Sequence, residues 1–195
     1  MPAIQDPASL DEWRRQLLSF KQARHLLSIG LIVLAVLVIV VYWFICWGSP
    51  TTVLLIRHAD RQGGQDVLSP VGVTRAQELV HVMGKASLNA IYHSEALRTQ
   101  QTAALLAAAT GLTPTQIAAA NTSELVNDIR TNHRGHTVLV VGHSNTIPAI
   151  ITALGGPSIP NIVEDEFDNL FMLTLCRCSW PGAKLINLQY GAVSP

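Results

Sequence analysis

The sequence predicts an α/β domain of three layers, α/β/α, with a mostly parallel central sheet, preceded by one transmembrane helix. Three observations carry this expectation. An uncharged run of 22 residues, Leu26 to Trp47, stands near the N-terminus. Beyond it, short apolar runs alternate with segments whose apolar residues recur at helical spacing. Two of those runs, Thr52–Arg57 (TVLLIR) and Thr137–Val141 (TVLVV), are apolar almost throughout, as strands buried on both faces are. Strands of that kind, separated by helices, build a parallel sheet covered on both sides.

Composition agrees. A chain of 195 residues holds one globular domain plus an appendage. Only 13% of residues are charged, against about 25% in ordinary soluble domains, and the uncharged run accounts for much of the difference. Lys+Arg and Asp+Glu number 13 each. That balance excludes the global basic field of a nucleic-acid binder and leaves no acidic tail. Three Cys do not make a disulfide framework.

As a helix, Leu26–Trp47 would extend about 33 Å, enough for a hydrocarbon core of about 30 Å. Tyr42, Trp43 and Trp47 crowd its far end in the manner of an interfacial belt. No amphipathic stripe marks it as a core helix. It is longer than a signal-peptide core and ends in Ile45-Cys46-Trp47-Gly48, without a small-residue cleavage site. The expectation is therefore an uncleaved single-pass anchor. Arg14, Arg15, Lys21 and Arg24 precede it, and only Arg57 and Arg61 follow closely. The positive-inside rule then puts the N-terminus in the cytoplasm and the remaining domain outside it, in the periplasm of a Gram-negative cell. The organisation reads as tail 1–25, span 26–47, linker 48–51 and domain 52–195. In the tail, Leu10, Trp13, Leu17, Leu18 and Phe20 fit either an amphipathic helix on the inner membrane face or an extension of the span.

The domain holds 9 Lys+Arg and 10 Asp+Glu, and its elements follow in order. Thr52–Arg57 is the first strand. Ser69-Pro70 is an N-cap with Pro at the first helical position, and Val73, Ala76, Leu79, Val80 and Met83 carry that helix to Gly84. Ala90–His93 is a short strand. Ser94 is expected to cap a helix running through Leu97, Leu105, Leu106 and Ala109 to a C′ glycine, Gly111. Asn121 with Glu124 resembles a capping box that opens a helix to about Asn132. Thr137–Val141 is the next strand. A helix across Thr146–Leu154 stops at Gly155-Gly156-Pro157, and Asn169–Arg177 and Lys184–Tyr190 are late strands.

In such sheets ligands bind beyond the carboxyl ends of the strands. Those ends offer Arg57-His58-Ala59-Asp60, then Ser94 to Thr99 with Arg98 in a first helical turn, then Gly142-His143-Ser144. Two imidazoles and two guanidiniums converge on one edge. Guanidiniums are bidentate phosphate ligands, and a helix N-terminus strengthens an anion site beside Arg98. A neutral imidazole is a nucleophile towards phosphorus, while a second, protonated one stabilises the transferring group. Phosphoryl transfer asks for little beyond positioning and charge stabilisation, and this set supplies both without a metal.

Arg57-His58-Ala59, Ser94-x-x-x-Arg98-Thr99-x-x-Thr102-Ala103 and Gly142-His143-Ser144 together resemble the histidine phosphatase (phosphoglycerate mutase-like) superfamily, over about residues 52–190. The resemblance implies a metal-independent phosphatase acting on a phosphomonoester or phosphoprotein, with His58 as the residue that becomes phosphorylated. By the same resemblance Arg57, Arg98 and His143 form the phosphate pocket, with Ser144 beside them, and no cofactor is needed. Ala59 stands where the family usually has Gly. The family's usual acidic proton donor has no plain counterpart. Glu124 lies at about the right distance but in a helix-cap context. The run Glu164-Asp165-Glu166, with Asp168, would either overhang the site or form a solvated loop. Asp60, the acid nearest His58, is the candidate to donate the proton or to orient a ligand.

The remaining residues read more plainly. The seven His lack zinc-site spacing. Cys176 and Cys178 read as packing residues on a strand, and Gly63-Gly64-Gln65-Asp66 as a turn beside the site. Two rivals stay open: a mutase-type phosphoryl transferase, and a noncatalytic module of the same fold that binds a phosphorylated ligand. The expected partners are a phosphorylated small molecule or phosphoprotein and the membrane through residues 26–47, but no nucleic acid. Gly30 to Val41 has no small-xxx-small pair, so oligomeric state is unread.

Overall fold

A computed structural model describes residues 7–46, 48–176 and 182–194 of the chain. The chain divides into two compact units, 1–47 and 48–195. The first is one continuous helix, α1 (Pro7–Cys46), so the tail extends the apolar helix instead of forming a second one. Its stretch Arg24–Trp43 is long and apolar enough to cross a membrane. From Leu26 to Tyr42 its Leu, Ile and Val side chains are more than half exposed within this structure.

The second unit begins with β1 (Thr51–Arg57) and continues through α2 (Pro70–Met83), β2 (Ala90–His93), α3 (Leu97–Thr110), β3 (Thr115–Gln116), α4 (Thr122–Asn132), β4 (Thr137–Gly142), α5 (Thr146–Ala153), β5 (Asn169–Leu175) and β6 (Ala183–Gln189). The sheet order is β3-β2-β4-β1-β5-β6. The first four strands are mutually parallel; β5 runs antiparallel to β1, and β6 to β5. The two-residue β3 carries no periodicity for a sequence reading to find.

Alternation along the two central strands sorts the core. Val53, Leu55, Val138 and Val140 face a layer from α4 and α5, with Leu125, Ile129, Ile147 and Ile151. Leu54, Ile56, Leu139 and Val141 face α2 and α3, with Leu79, Met83, Ala103 and Leu106. Both faces are covered, which is why these strands lack a polar side.

Several expected ends hold. The Ser69 hydroxyl accepts from the Gly72 amide with Pro70 next in line, and Gly111 closes α3 at φ 72°. Others differ. Val73 is 43% exposed, and the buried face of α2 instead uses Gly72, Arg75, Ala76, Leu79 and Met83. Asn121 precedes α4 but makes no side-chain cap; its amide nitrogen donates to the Glu124 carboxylate instead, at 2.9 Å. Cys176 is exposed just past β5, so it is not a packing residue. Arg177 and Cys178 lie outside the described residues.

Candidate active site

β1 and β4 lie side by side in parallel with Arg57 opposite Gly142. The next residue on each strand is a histidine, and the His58 amide donates to the Gly142 carbonyl at 2.9 Å. The ladder therefore delivers both imidazoles to one edge, with ring centroids 5.6 Å apart. Gly142 leaves no room for a side chain, since a Cβ would meet Thr146 Oγ1 at 2.9 Å and Ile147 Cδ1 at 2.8 Å. That close approach lets α5 begin directly beside His143.

A cavity of about 420 Å³ opens at this edge, lined by Arg57, His58, Arg61, Arg98, His143, Ser144 and Glu164 among others. The structure thus brings Arg57, His58, Arg98, His143 and Ser144 together, as their positions at the strand ends imply.

His58 is 3% exposed. Its Nδ1 lies 2.8 Å from the Ala59 carbonyl. A carbonyl only accepts, so Nδ1 carries the hydrogen and Nε2 keeps its lone pair. Burial is the main cause that lowers its pKa, to about 3, and Arg57, Arg98 and His143 add to it against the Ala59 hydrogen bond. At neutral pH the ring is neutral.

His143 is fixed at both nitrogens. Arg98 Nη2 lies 3.3 Å from Nδ1 and can only donate. Nε2 therefore bears the hydrogen and donates to Ser94 Oγ at 2.8 Å. Burial first, then Arg98, lowers the pKa of His143, so the ring expected to be protonated is neutral before an anion arrives. Ser94 does not cap α3. Its hydroxyl is taken by His143 and Thr99, while Ala96 precedes the helix without a side-chain cap.

The cap comes from elsewhere in the chain. Asp66 accepts from the amides of Leu97 at 2.9 Å and Arg98 at 3.4 Å, and from the Arg98 guanidinium at 2.6 Å. The α3 N-terminus, expected to strengthen an anion site, is already filled by this carboxylate. Gly63 and Gly64, both at positive φ, make the turn that brings Asp66 there. The two threonines of the second motif serve the framework. Thr102 Oγ1 accepts from the Ala59 amide and donates to the Arg98 carbonyl, and Thr99 Oγ1 donates to the Ala96 carbonyl. The Ala59 methyl is accommodated in a small cluster with Leu68 and Ala76.

Arg57 is 2% exposed. Its Nη1 donates to the carbonyls of Val163, Glu164 and Glu166 at 2.8, 2.7 and 3.2 Å. Its guanidinium sits 4.2 Å from the Phe167 ring centroid, and that ring also lies 5.9 Å from His58. The Nε atoms of Arg57 and Arg98 are buried and have no hydrogen-bond partner among the described residues. The Glu164 carboxylate reaches Arg57 Nη2 at 3.4 Å and Arg61 Nη2 at 2.6 Å.

The candidate acids take different positions. Asp60 points to Arg75, accepting from Nε at 2.6 Å and Nη2 at 3.3 Å, and does not line the cavity. Arg75 also donates to the carbonyls of Tyr190 and Ala192, so this pair fastens the C-terminal segment. Glu124 is engaged with Asn121 and is also outside the cavity. Asp168 is buried and accepts from Gln189 and the Ser194 amide. Of the acidic run, Glu164 alone lines the cavity. Among the described residues no three His, Cys, Asp or Glu side chains are placed to hold a metal ion.

The family model of the histidine phosphatase superfamily (branch 1) matches residues 53–120, which include Arg57, His58 and Arg98. Over that stretch the chain resembles that superfamily. No curated protein sequence matches it. Among solved structures, a candidate phosphohistidine phosphatase SixA from Nakamurella multipartitia is 23% identical, with TM-score 0.51 over 74% of this chain and 99% of that one. A mycobacterial glucosyl-3-phosphoglycerate phosphatase is 17% identical, TM-score 0.53, over 73% and 99%. A phosphoglycerate mutase from Plasmodium falciparum is 18% identical, TM-score 0.50, over 76% and 94%. At these identities the likeness is one of fold.

Proposed function

We propose that the chain is a phosphatase that hydrolyses a phosphorylated small molecule or phosphoprotein through a phosphohistidine on His58. The observation that carries this reading is the buried imidazole with Nδ1 hydrogen-bonded to the Ala59 carbonyl and no hydrogen bond at Nε2 among the described residues, beside Arg57, Arg98 and His143. A neutral, oriented nucleophile among fixed cations is what in-line attack on phosphorus requires. Nε2 attacks phosphorus, the guanidiniums hold the oxygens, and His143 gains its charge as the dianion settles beside it. Water then cleaves the N–P bond. A binding module has no use for such a nucleophile.

The location belongs to the same proposal. The apolar stretch of α1 serves as a single-pass anchor, and the basic residues before it favour a cytoplasmic N-terminus with the catalytic unit on the other side.

Turnover of 4-nitrophenyl phosphate by the full chain in detergent, without added metal, tests the activity. It should be lost in His58→Ala, and wild-type protein quenched in alkali should carry phosphohistidine. A wild-type protein that binds inorganic phosphate yet never becomes phosphorylated would instead be a binding module.

A further inference from the structure

The proposed reaction leaves a proton unassigned. An alkyl phosphate cannot release its alcohol as an alkoxide, so a donor must meet the departing oxygen. The acid nearest in sequence, Asp60, is committed to Arg75. Glu95 accepts from the Ala119 amide and Asp66 caps α3, and neither lines the cavity. Glu164 alone among the described acids does so. We propose that Glu164 is a catalytic residue: it gives its proton to the leaving-group oxygen and takes one back from the attacking water. This inference rests on the phosphatase reading above.

Two geometric observations support the role. The loop that carries Glu164 is fastened at the site, because the carbonyls of residues 163, 164 and 166 all accept from the buried Arg57 guanidinium. The Glu164 side chain, by contrast, is 60% exposed and held only at its tip, by Arg57 and Arg61. It can therefore move within a fixed frame and exchange protons with solvent. The charges that face it are Arg57 and Arg61 directly, with Arg98, His58 and His143 across the cavity and Asp165 and Glu166 on its own loop. The guanidiniums of Arg57 and Arg61 hold the tip of Glu164 at the cavity wall. An arriving phosphoryl dianion competes for the same guanidiniums and loosens their hold on the Glu164 tip.

The step balances. The Nε2 lone pair of His58 forms the N–P bond while the P–O bond breaks. Its electron pair goes to the leaving oxygen, which receives the Glu164 proton and departs as the alcohol. Nδ1 keeps its hydrogen and its bond to the Ala59 carbonyl throughout. Water then attacks phosphorus and gives one proton to the Glu164 carboxylate. The N–P pair returns to Nε2, releasing hydrogen phosphate and restoring the starting enzyme.

The test compares first-turnover phosphoenzyme formation, by quenched flow into alkali, for full-length wild type, Glu164→Gln and Asp165→Asn. Each is given glycerol 2-phosphate and 4-nitrophenyl phosphate. The nitrophenolate leaves without protonation; the glycerol oxygen does not. Glu164→Gln should slow phosphoenzyme formation from glycerol 2-phosphate by about 10²-fold and leave the aryl ester nearly untouched. Asp165→Asn should change neither. Equal slowing on both esters would make Glu164 a positioning residue for Arg57 and Arg61 and overturn the inference, as would no effect on either. Wild type that forms no phosphoenzyme from either ester removes the phosphatase reading and this inference together. Phosphoenzyme formation from glycerol 2-phosphate that is lost in His58→Ala but unchanged in Glu164→Gln removes this inference alone.

Discussion

Ser94 Oγ and His143 Nε2 lie 2.8 Å apart, and this bond settles the tautomer of the second imidazole. With Arg98 donating to Nδ1, the hydrogen must sit on Nε2 and point at Ser94. Nδ1, the acceptor of the Arg98 bond, must gain a proton before the ring can donate to an incoming anion. Ser94→Ala removes the acceptor that keeps the ring in this state. It should lower kcat/KM for 4-nitrophenyl phosphate by about five- to tenfold, the worth of one buried neutral hydrogen bond. Ser94→Thr, which keeps the hydroxyl, should recover most of the loss. An unchanged Ser94→Ala enzyme would mean that packing alone orients His143.

Asp60 sits two residues from the proposed nucleophile, yet its carboxylate belongs to the framework. Arg75 is 2% exposed at its side chain and bridges Asp60 to the chain's last residues. Asp60→Asn strands a buried guanidinium, which costs about 3 kcal/mol. The denaturant midpoint should fall clearly, while kcat measured at low temperature stays close to wild type on both aryl and alkyl esters. A selective loss on the alkyl ester would return Asp60 to the proton-donor role.

The buried imidazoles make stability depend on pH with a definite sign. His58 has a folded pKa of about 3, below its ordinary value of about 6.5, and His143 is shifted in the same direction. Between those limits the unfolded chain binds more protons than the native one. The contribution is complete above about pH 6.5 and is lost as pH falls through that value towards 3, by up to about 1.4 kcal/mol per pH unit for His58. Denaturation at pH 7.5 and pH 5 should show a loss for wild type that is smaller in His58→Ala. Equal losses would mean that His58 is not held neutral by burial.

What the sequence revealed and what it hid separate along a physical line. Thr51–Arg57 and Thr137–Gly142 were legible because strands buried on both faces are continuously apolar, and Ser69-Pro70 and Gly111 because cap chemistry is local. Arg57, His58, Arg98 and His143 were legible because each stands at a strand end or first helical turn. The hidden parts are partnerships between distant positions. Asp66 caps a helix 31 residues away, and Glu164 meets Arg61 across 103. Ser94 and Asn121 looked like caps because their types favour that role, but each side chain found another partner. Arg75 drew no reading from the sequence, because its partners Asp60 and the Tyr190 carbonyl lie 15 and 115 residues away.

The pairing of Arg57 with Gly142 has a consequence for how the site is assembled. Each imidazole is the first residue beyond a ladder pair, so their separation follows from the strand spacing of about 4.8 Å. No loop has to close to bring them together, and the reorganisation energy for arranging the two rings has already been met by folding. A one-residue slip between β1 and β4 would dismantle the site along with the core, because it would invert which side chains face each layer. Retaining the fold and retaining the chemistry are thus a single constraint on these two strands.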